Sequence, residues 1–177
     1  MFSLKAIIFM ATLAIVYTRK HIQTYRVHAK VNSGYINEDI VMDTENDIMT
    51  VSIGQVSPMD SDCPSTVNLH DFKKGMLAIK NIDNGACTIM ATPETLDGTR
   101  ELLENITRFH LQHEIKDEKI IHGVPITLND LIELAGEDIA DFCRGYDLFF
   151  GHQVGDRVKR LAVACISHCF VCRVSQV

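Results

Sequence analysis

The apolar residues of this chain recur at two spacings, and the spacing sets the element to expect at each point. Met49, Val51 and Ile53 alternate with Thr50 and Ser52, the period of a half-buried strand. Ile48 to Ile53 therefore pairs with Asn37 to Asp43 in a hairpin, with Thr44 to Asp47 supplying the turn. His21 to Val31 mixes basic and apolar residues and reads as a strand or a loose linker. Gly54 to Pro64, punctuated by Ser57-Pro58 and Cys63-Pro64, reads as a loop. The best-defined hairpin joins Phe72 to Lys80 with Ala86 to Ala91 across Asp83-Asn84-Gly85, because Asn-Gly accepts the positive φ of a tight turn.

Helical spacing follows. Thr99 offers an N-cap to a helix running to His113, with Leu102, Leu103, Ile106, Phe109 and His110 on one face. Asp117 to Lys119 break the pattern, and Ile120 to Val124 form a short strand. Thr127 and Asp130 make a capping box for a second helical region whose stripe is Leu128, Leu131, Ile132 and Ala135. Gly136 interrupts that region, and Ile139, Phe142 and Cys143 resume it. Gly151 to Arg160 is a polar, basic link into the tail of residues 161–177, LAVACISHCFVCRVSQV. The tail is rich in Val, Ile, Phe and Cys and has neither Gly nor Pro, so it pairs as a strand with any available edge, copies of itself included.

The first residues change how the rest is read. Lys5 precedes an apolar run from Ala6 to Val16, interrupted only by Thr12 and closed by Arg19-Lys20. That run has the length of a signal-peptide core and falls short of a membrane span. Secretion is the expectation, with cleavage after Ala14 or near Thr18; a short signal-anchor or a buried strand or helix are the alternatives. Composition sets broader bounds. With 46% hydrophobic and 23% charged residues, 177 residues suit one ordinary domain plus extensions. A net charge of −6, no long Lys/Arg run and no Trp argue against nucleic acid as a partner.

In a secreted chain the six cysteines, Cys63, Cys87, Cys143, Cys165, Cys169 and Cys172, suggest disulfides. Spacing alone does not choose the pairing. Cys169 and Cys172 form a lone C-x-x-C in a strand-prone tail, without the second half of a zinc site or the helix start of a redox site. His110 and His113, with Glu114 nearby, are half a metal site on one helix face, and a solvated helix end is the reading preferred. There is no G-x-S-x-G, no Gly-rich phosphate loop and no H-E-x-x-H. No catalytic residue, metal or cofactor is expected. Asn105-Ile106-Thr107 is a glycosylation sequon, and its use requires Asn105 to point outward from the helix.

One ordered set of residues resembles a known family. Asp71 precedes Cys87 in H-D-F-K-K-G-M-L-A-I-K-N-I-D-N-G-A-C, a helix and a polar stretch follow, and a second helix ends in Phe142-Cys143 with Tyr146 close behind. This resembles the BRICHOS domain, over roughly Asp60 to Phe150. It is closest to the gastrokine-like branch, where a cysteine also precedes the Asp as Cys63 does. It is also similar to invertebrate BRICHOS precursors of antimicrobial peptides. The stretch between Cys143 and Tyr146 is shorter than is usual for the family.

The resemblance implies an α+β fold: a small, mostly antiparallel β-sheet with one helix on each face. It implies a Cys87–Cys143 disulfide, Asp71 as the family Asp, and a chaperone-like role toward β-prone segments. Asp71 itself has two readings. Placed at the start of a core-facing strand, it is a partly buried carboxylate whose protonation loosens or tightens the domain, or one satisfied by backbone N–H groups at a strand end; the second is preferred. The organisation expected is a signal peptide at 1–18, a strand or linker region at 19–59, the BRICHOS domain at 60–151, a basic link at 152–160 and the Cys-containing peptide at 161–177.

The function expected is a secreted proprotein whose domain chaperones its own tail, released after Lys159-Arg160 as a defence peptide. The alternative is an unprocessed, gastrokine-like extracellular protein with the tail disulfide-locked into the mature fold. Cys165 and Cys172 close a tail hairpin in one arrangement, leaving Cys169 for Cys63; in another, one tail cysteine is left for dimerisation. The partners expected are the tail itself, other β-prone peptides or membrane surfaces, and an oligomer is left open.

Overall fold

The structure, a computed structural model, describes residues 21–31, 34–53, 65–109, 113–114, 119–153 and 170–173. An antiparallel meander runs through β1 (Ile22–Val31), β2 (Gly34–Asp43), β3 (Ile48–Ile53), β4 (Thr66–Asp71), β5 (Met76–Asn81) and β6 (Ala86–Ala91). Then come helix α1 (Leu96–Phe109), β7 (His113–Glu114) and β8 (Lys119–Pro125). Helices α2 (Leu128–Ala135) and α3 (Glu137–Phe142), β9 (Asp147–Gln153) and β10 (Phe170–Arg173) complete the order. All ten described strands form one sheet, in the order β10-β8-β9-β6-β5-β4-β3-β2-β1-β7. Only β6–β9, β8–β10 and β1–β7 are parallel. The α+β fold with a mostly antiparallel sheet is as expected.

The β2–β3 hairpin forms where the alternation placed it, with Asp43 opposite Ile48. Its turn is organised by Asp43, whose Oδ1 accepts from the N–H groups of Glu45 and Asn46 at 3.0 and 3.2 Å. The Asn46 side-chain amide, donating to Oδ2, is the largest cause holding that carboxyl below the usual range. His21 to Val31 resolves as a strand from Ile22. The second hairpin differs from expectation. Phe72 to Gly75 form the turn between β4 and β5 rather than the start of a strand, and Gly75 takes φ +62° there. Consequently Asp71 ends β4 instead of beginning a strand. The pattern hid β4 because its residues on the α1 side, Thr66, Asn68 and His70, are polar yet buried.

Helix α1 starts at Leu96, before the expected cap at Thr99. Thr95 does the capping, its Oγ1 accepting from Gly98 N at 3.3 Å, while Thr99 is buried inside the helix. The helix ends at Phe109, and His113 lies in β7, so His113 does not sit on a helix face with His110, which is outside the described residues. The Thr127–Asp130 capping box is present: Asp130 N donates to Thr127 Oγ1 at 3.2 Å and Thr127 N to Asp130 Oδ2 at 2.9 Å. Gly136 separates α2 from α3 with φ +83°. The basic link also begins later than expected, because β9 continues to Gln153.

Two large apolar cores result, one on each face, with a small third cluster of Leu77, Ile79 and Met90 on the α1 side. Leu103 and Ile106 of α1 pack on Val27, Ile40, Met49 and Val51 from β1 to β3. On the other face Leu131 and Ala135 of α2 and Ile139 of α3 pack on Leu69, Ala78 and Ile89 from β4 to β6. One side thus carries α1 and the other the α2–α3 pair, which agrees with the resemblance apart from the split in the second helix. The α2 stripe is narrower than its spacing implied: Leu131 and Ala135 are buried, but Leu128 and Ile132 are 46% and 40% exposed. An eight-residue helix presents little more than one row to the sheet, so the next i, i+4 pair, about a sixth of a turn round, stays outside. Replacing Ile139 by Ala should therefore lower unfolding stability by about 2–4 kcal/mol, whereas Ile132→Ala should cost well under about 1 kcal/mol. Urea titration of both variants measures the difference, and equal losses would show that the α2 stripe is buried after all.

Candidate functional site

One edge of the sheet is built from the most strand-prone part of the sequence. β8 pairs antiparallel with β9 on its inner side and parallel with β10 on its outer side. Phe170, Val171, Cys172 and Arg173 stand opposite Lys119, Ile120, Ile121 and His122. β8 alone would present a row of unpaired N–H and C=O groups, and β10 occupies that row. The opposite edge is treated similarly, by two residues of β7 alongside Ala29 and Lys30 of β1.

The support for β8 can be traced inward. Gly123 lies opposite Gly151 of β9, and a Cβ at Gly123 would come within 3.0 Å of Phe149 Cβ, so the strands approach closely there. β9 lies parallel to β6, with Leu148 opposite Cys87. Cys87 is bonded to Cys143 at the end of α3, both fully buried, with Cα atoms 5.7 Å apart across 56 positions of sequence. Closing a loop of that length stabilises the fold by about 4 kcal/mol in the chain-entropy picture. Lys80, opposite Cys87 on β5, adds a second tie: its Nζ lies 4.3 Å from the Phe142 ring centre and 5.0 Å from that of Tyr146. Each such contact contributes about 0.5–1 kcal/mol at a partly exposed site.

Asp71 belongs to the same face as α3. Its Oδ1 accepts from Lys74 N at 3.0 Å, and its Oδ2 lies 3.4 Å from Lys74 Nζ, which is itself 3.7 Å from Asp138 of α3. The carboxylate therefore holds the β4–β5 turn and, through Lys74, joins that turn to α3. One backbone N–H and one ammonium thus satisfy the carboxylate at the end of β4, in keeping with the preferred reading of a carboxylate held at a strand end. Lys74 runs through the space a Cβ on Gly136 would need. Gly136→Ala should displace Lys74 and impose a backbone conformation suited to glycine, costing about 1–3 kcal/mol. In an Asp71→Asn, Lys74→Met background the loss should shrink toward the backbone part alone. Thermal melts of the variants decide; equal losses in both backgrounds would show that Lys74 plays no part.

The other expected residues are scattered. Asn105 is half-buried on α1, with Thr107 exposed two positions on. Cys172 is in β10. Cys63, Cys165, Cys169, Lys159 and Arg160 lie outside the described residues, as do the leader at 1–18 and the loop from Gly54 to Pro64. The pattern missed the polar stripe of β4. Thr66 Oγ1 and Asn68 Oδ1 are buried without a hydrogen-bond partner, and His70 Nδ1 lies 3.3 Å from Glu94 Oε2 while its ring stacks on Phe72. The only signal for it was polar residues alternating with Val67 and Leu69, which an exposed loop shows equally well.

Among the described residues no group of three His, Cys, Asp or Glu side chains could hold a metal ion, and no helix is long and apolar enough to cross a membrane. The family model of the BRICHOS domain matches residues 62–150, from just before β4 to within β9, and takes in Asp71 and both bonded cysteines. No curated protein and no solved structure matches the chain.

Proposed function

The chain belongs to the BRICHOS family, chaperone-like domains rather than enzymes, and on that premise we propose that it is a secreted proprotein whose domain chaperones its own C-terminal segment. The observation that carries this reading is the place of Phe170–Arg173, parallel to β8 at the sheet edge. An exposed strand with the tail's composition would assemble with copies of itself, and an edge already matched to it removes that route. Residues 1–18 serve as the leader in this reading. Cleavage after Lys159-Arg160 then frees residues 161–177 as a defence peptide, and the domain carries out no catalysis. Asn105 is the glycan acceptor on α1.

Four paired residues form a short ladder, so release after cleavage needs no global unfolding. A gastrokine-like protein that is never processed would use the same strand differently, keeping β10 as a permanent part of the sheet through a Cys63-to-tail disulfide. Intact mass spectrometry of the secreted product, with and without reduction, separates the two. A domain ending at Arg160 with a peptide starting at Leu161 supports the precursor. One full-length species with every cysteine oxidised supports the permanent strand.

Docking itself has a separate readout. In the full chain, trypsin should cut after Arg173 more slowly than after Arg160, and Val171→Pro combined with Cys172→Pro should remove that protection, because one of two consecutive N–H groups of β10 faces β8. Equal initial rates in the unaltered chain would count against the docked strand. The defence role is tested by dye release from anionic vesicles, using peptides 161–177 and 158–177. The longer peptide, which adds Lys159 and Arg160, should be the more active; if both are inert, the defence role fails and chaperoning stands.

A further inference from the structure

Three parts of the molecule stand outside this reading: the exposed apolar residues of α2, the polar stripe of β4, and a carboxylic acid buried beneath α1. The first has nothing on it to say what covers it, and the second is a row of buried polar groups with no ligand chemistry beside it. The third is sharply defined.

Glu38 lies in β2, before the family match begins, and its side chain is fully buried, at 0% exposure. Neither carboxyl oxygen has a hydrogen-bond partner. β-Alternation turns its neighbours Asn37 and Asp39 to the opposite face, where Asn37 meets His28 and Asp39 pairs with Arg26. Glu38 itself points to the α1 side, directly opposite Val27 of β1 and Ile53 of β3. Those two residues belong to the core on which Leu103 and Ile106 of α1 rest. A lone carboxyl among such neighbours is tolerated when neutral and strongly penalised when charged.

We propose that Glu38 is a proton-controlled latch between helix α1 and strands β1–β3, holding the helix seated when protonated and loosening it when ionised. Burial alone pushes its carboxyl up to about 8 from an ordinary value of 4.5, no neighbouring charge contributing. The other ionisable groups on this face are few among the described residues. Tyr25 of β1 feels Glu104 and Arg100 of α1, and burial raises its hydroxyl above an already alkaline value, so it stays neutral throughout. His70 and Glu94 pair at the Met49 end of the face, two cross-strand rows from Glu38.

The direction of the pH dependence follows from the raised value. Below pH 4.5 Glu38 is protonated whether the helix is seated or free, and the latch is fully closed. Between 4.5 and about 8 only the seated form keeps the proton, so each opening event releases one and is favoured as pH rises. The opening constant should climb about tenfold per pH unit across that window and level off beyond it. The domain therefore grips α1 more tightly in acid than at neutral pH, opposite to a carboxylate held by an ion pair.

The test compares the full chain with its Glu38→Gln variant, whose amide keeps the shape of the protonated acid and cannot ionise. Native-state hydrogen exchange at matched pH cancels the intrinsic rate and any titration common to both proteins. The ratio of opening constants, unaltered chain over variant, should rise about tenfold per pH unit from 5 to 7 in β1–β3 and α1, and stay flat at β4–β6 amides that open while β1–β3 and α1 stay closed. A ratio independent of pH in β1–β3 and α1 overturns the latch, as does an equal rise at β4–β6 amides that open while β1–β3 and α1 stay closed. If the variant does not fold, the carboxyl carbon resonance of Glu38 in the unaltered chain answers directly. A midpoint well above pH 6 supports the proposal, and one in the ordinary carboxylate range overturns it.

Discussion

The bond between Cys87 and Cys143 fixes more of this molecule than any other single contact. It joins the middle of the sheet to the end of α3, and every element from β8 to β10 is built outward from that junction. β9 reaches the sheet only after the chain has passed α2, α3 and Cys143, and it enters parallel to β6 with Leu148 beside Cys87. β8 then pairs with β9, and β10 with β8. Parallel pairing between β6 and β9 demands a long crossover, which is slow to find by diffusion. A covalent link within that crossover shortens the search and holds the result.

A sheet this wide has to solve two problems at once, its faces and its edges. The faces are divided: α1 covers the N-terminal strands on one side, and α2 with α3 covers the central strands on the other. The edges are closed by the two shortest described strands, β7 and β10, each lying parallel to its neighbour. Closing an edge with a short strand blocks self-association while leaving only a few hydrogen bonds to break. That combination suits a protein that keeps a strand-prone segment in place without binding it irreversibly.

The N-terminal strands add a different property. β1 to β3 precede the family match, yet they continue the same sheet and supply most of the core beneath α1. α1 lies within the matched region, so its seat depends on residues outside it. A carboxyl placed in that seat links the family domain to its extension through a proton. Buried acids without partners usually persist because something other than maximal stability is being served.

Legibility of the sequence varied with how local the cause of each element was. The β2–β3 and β5–β6 turns, the Thr127–Asp130 cap and the break at Gly136 all follow from residues within a few positions of one another, and all appear where the pattern placed them. The family resemblance rested on an ordered set, Asp71 before Cys87, two helices, then Phe142-Cys143 and Tyr146, which the family match spans. β4 was illegible because Thr66, Asn68 and His70 are polar residues that only the tertiary packing buries. The start of α1 depended on Thr95 outcompeting Thr99, which packing into the core made unavailable as a cap. The exposed side of α2, the placing of β10 against β8 and the isolation of Glu38 were likewise settled by which surfaces met. Local chemistry in the sequence determined the turns, caps and most strands, whereas burial, which depends on distant partners, decided which polar groups lost their water.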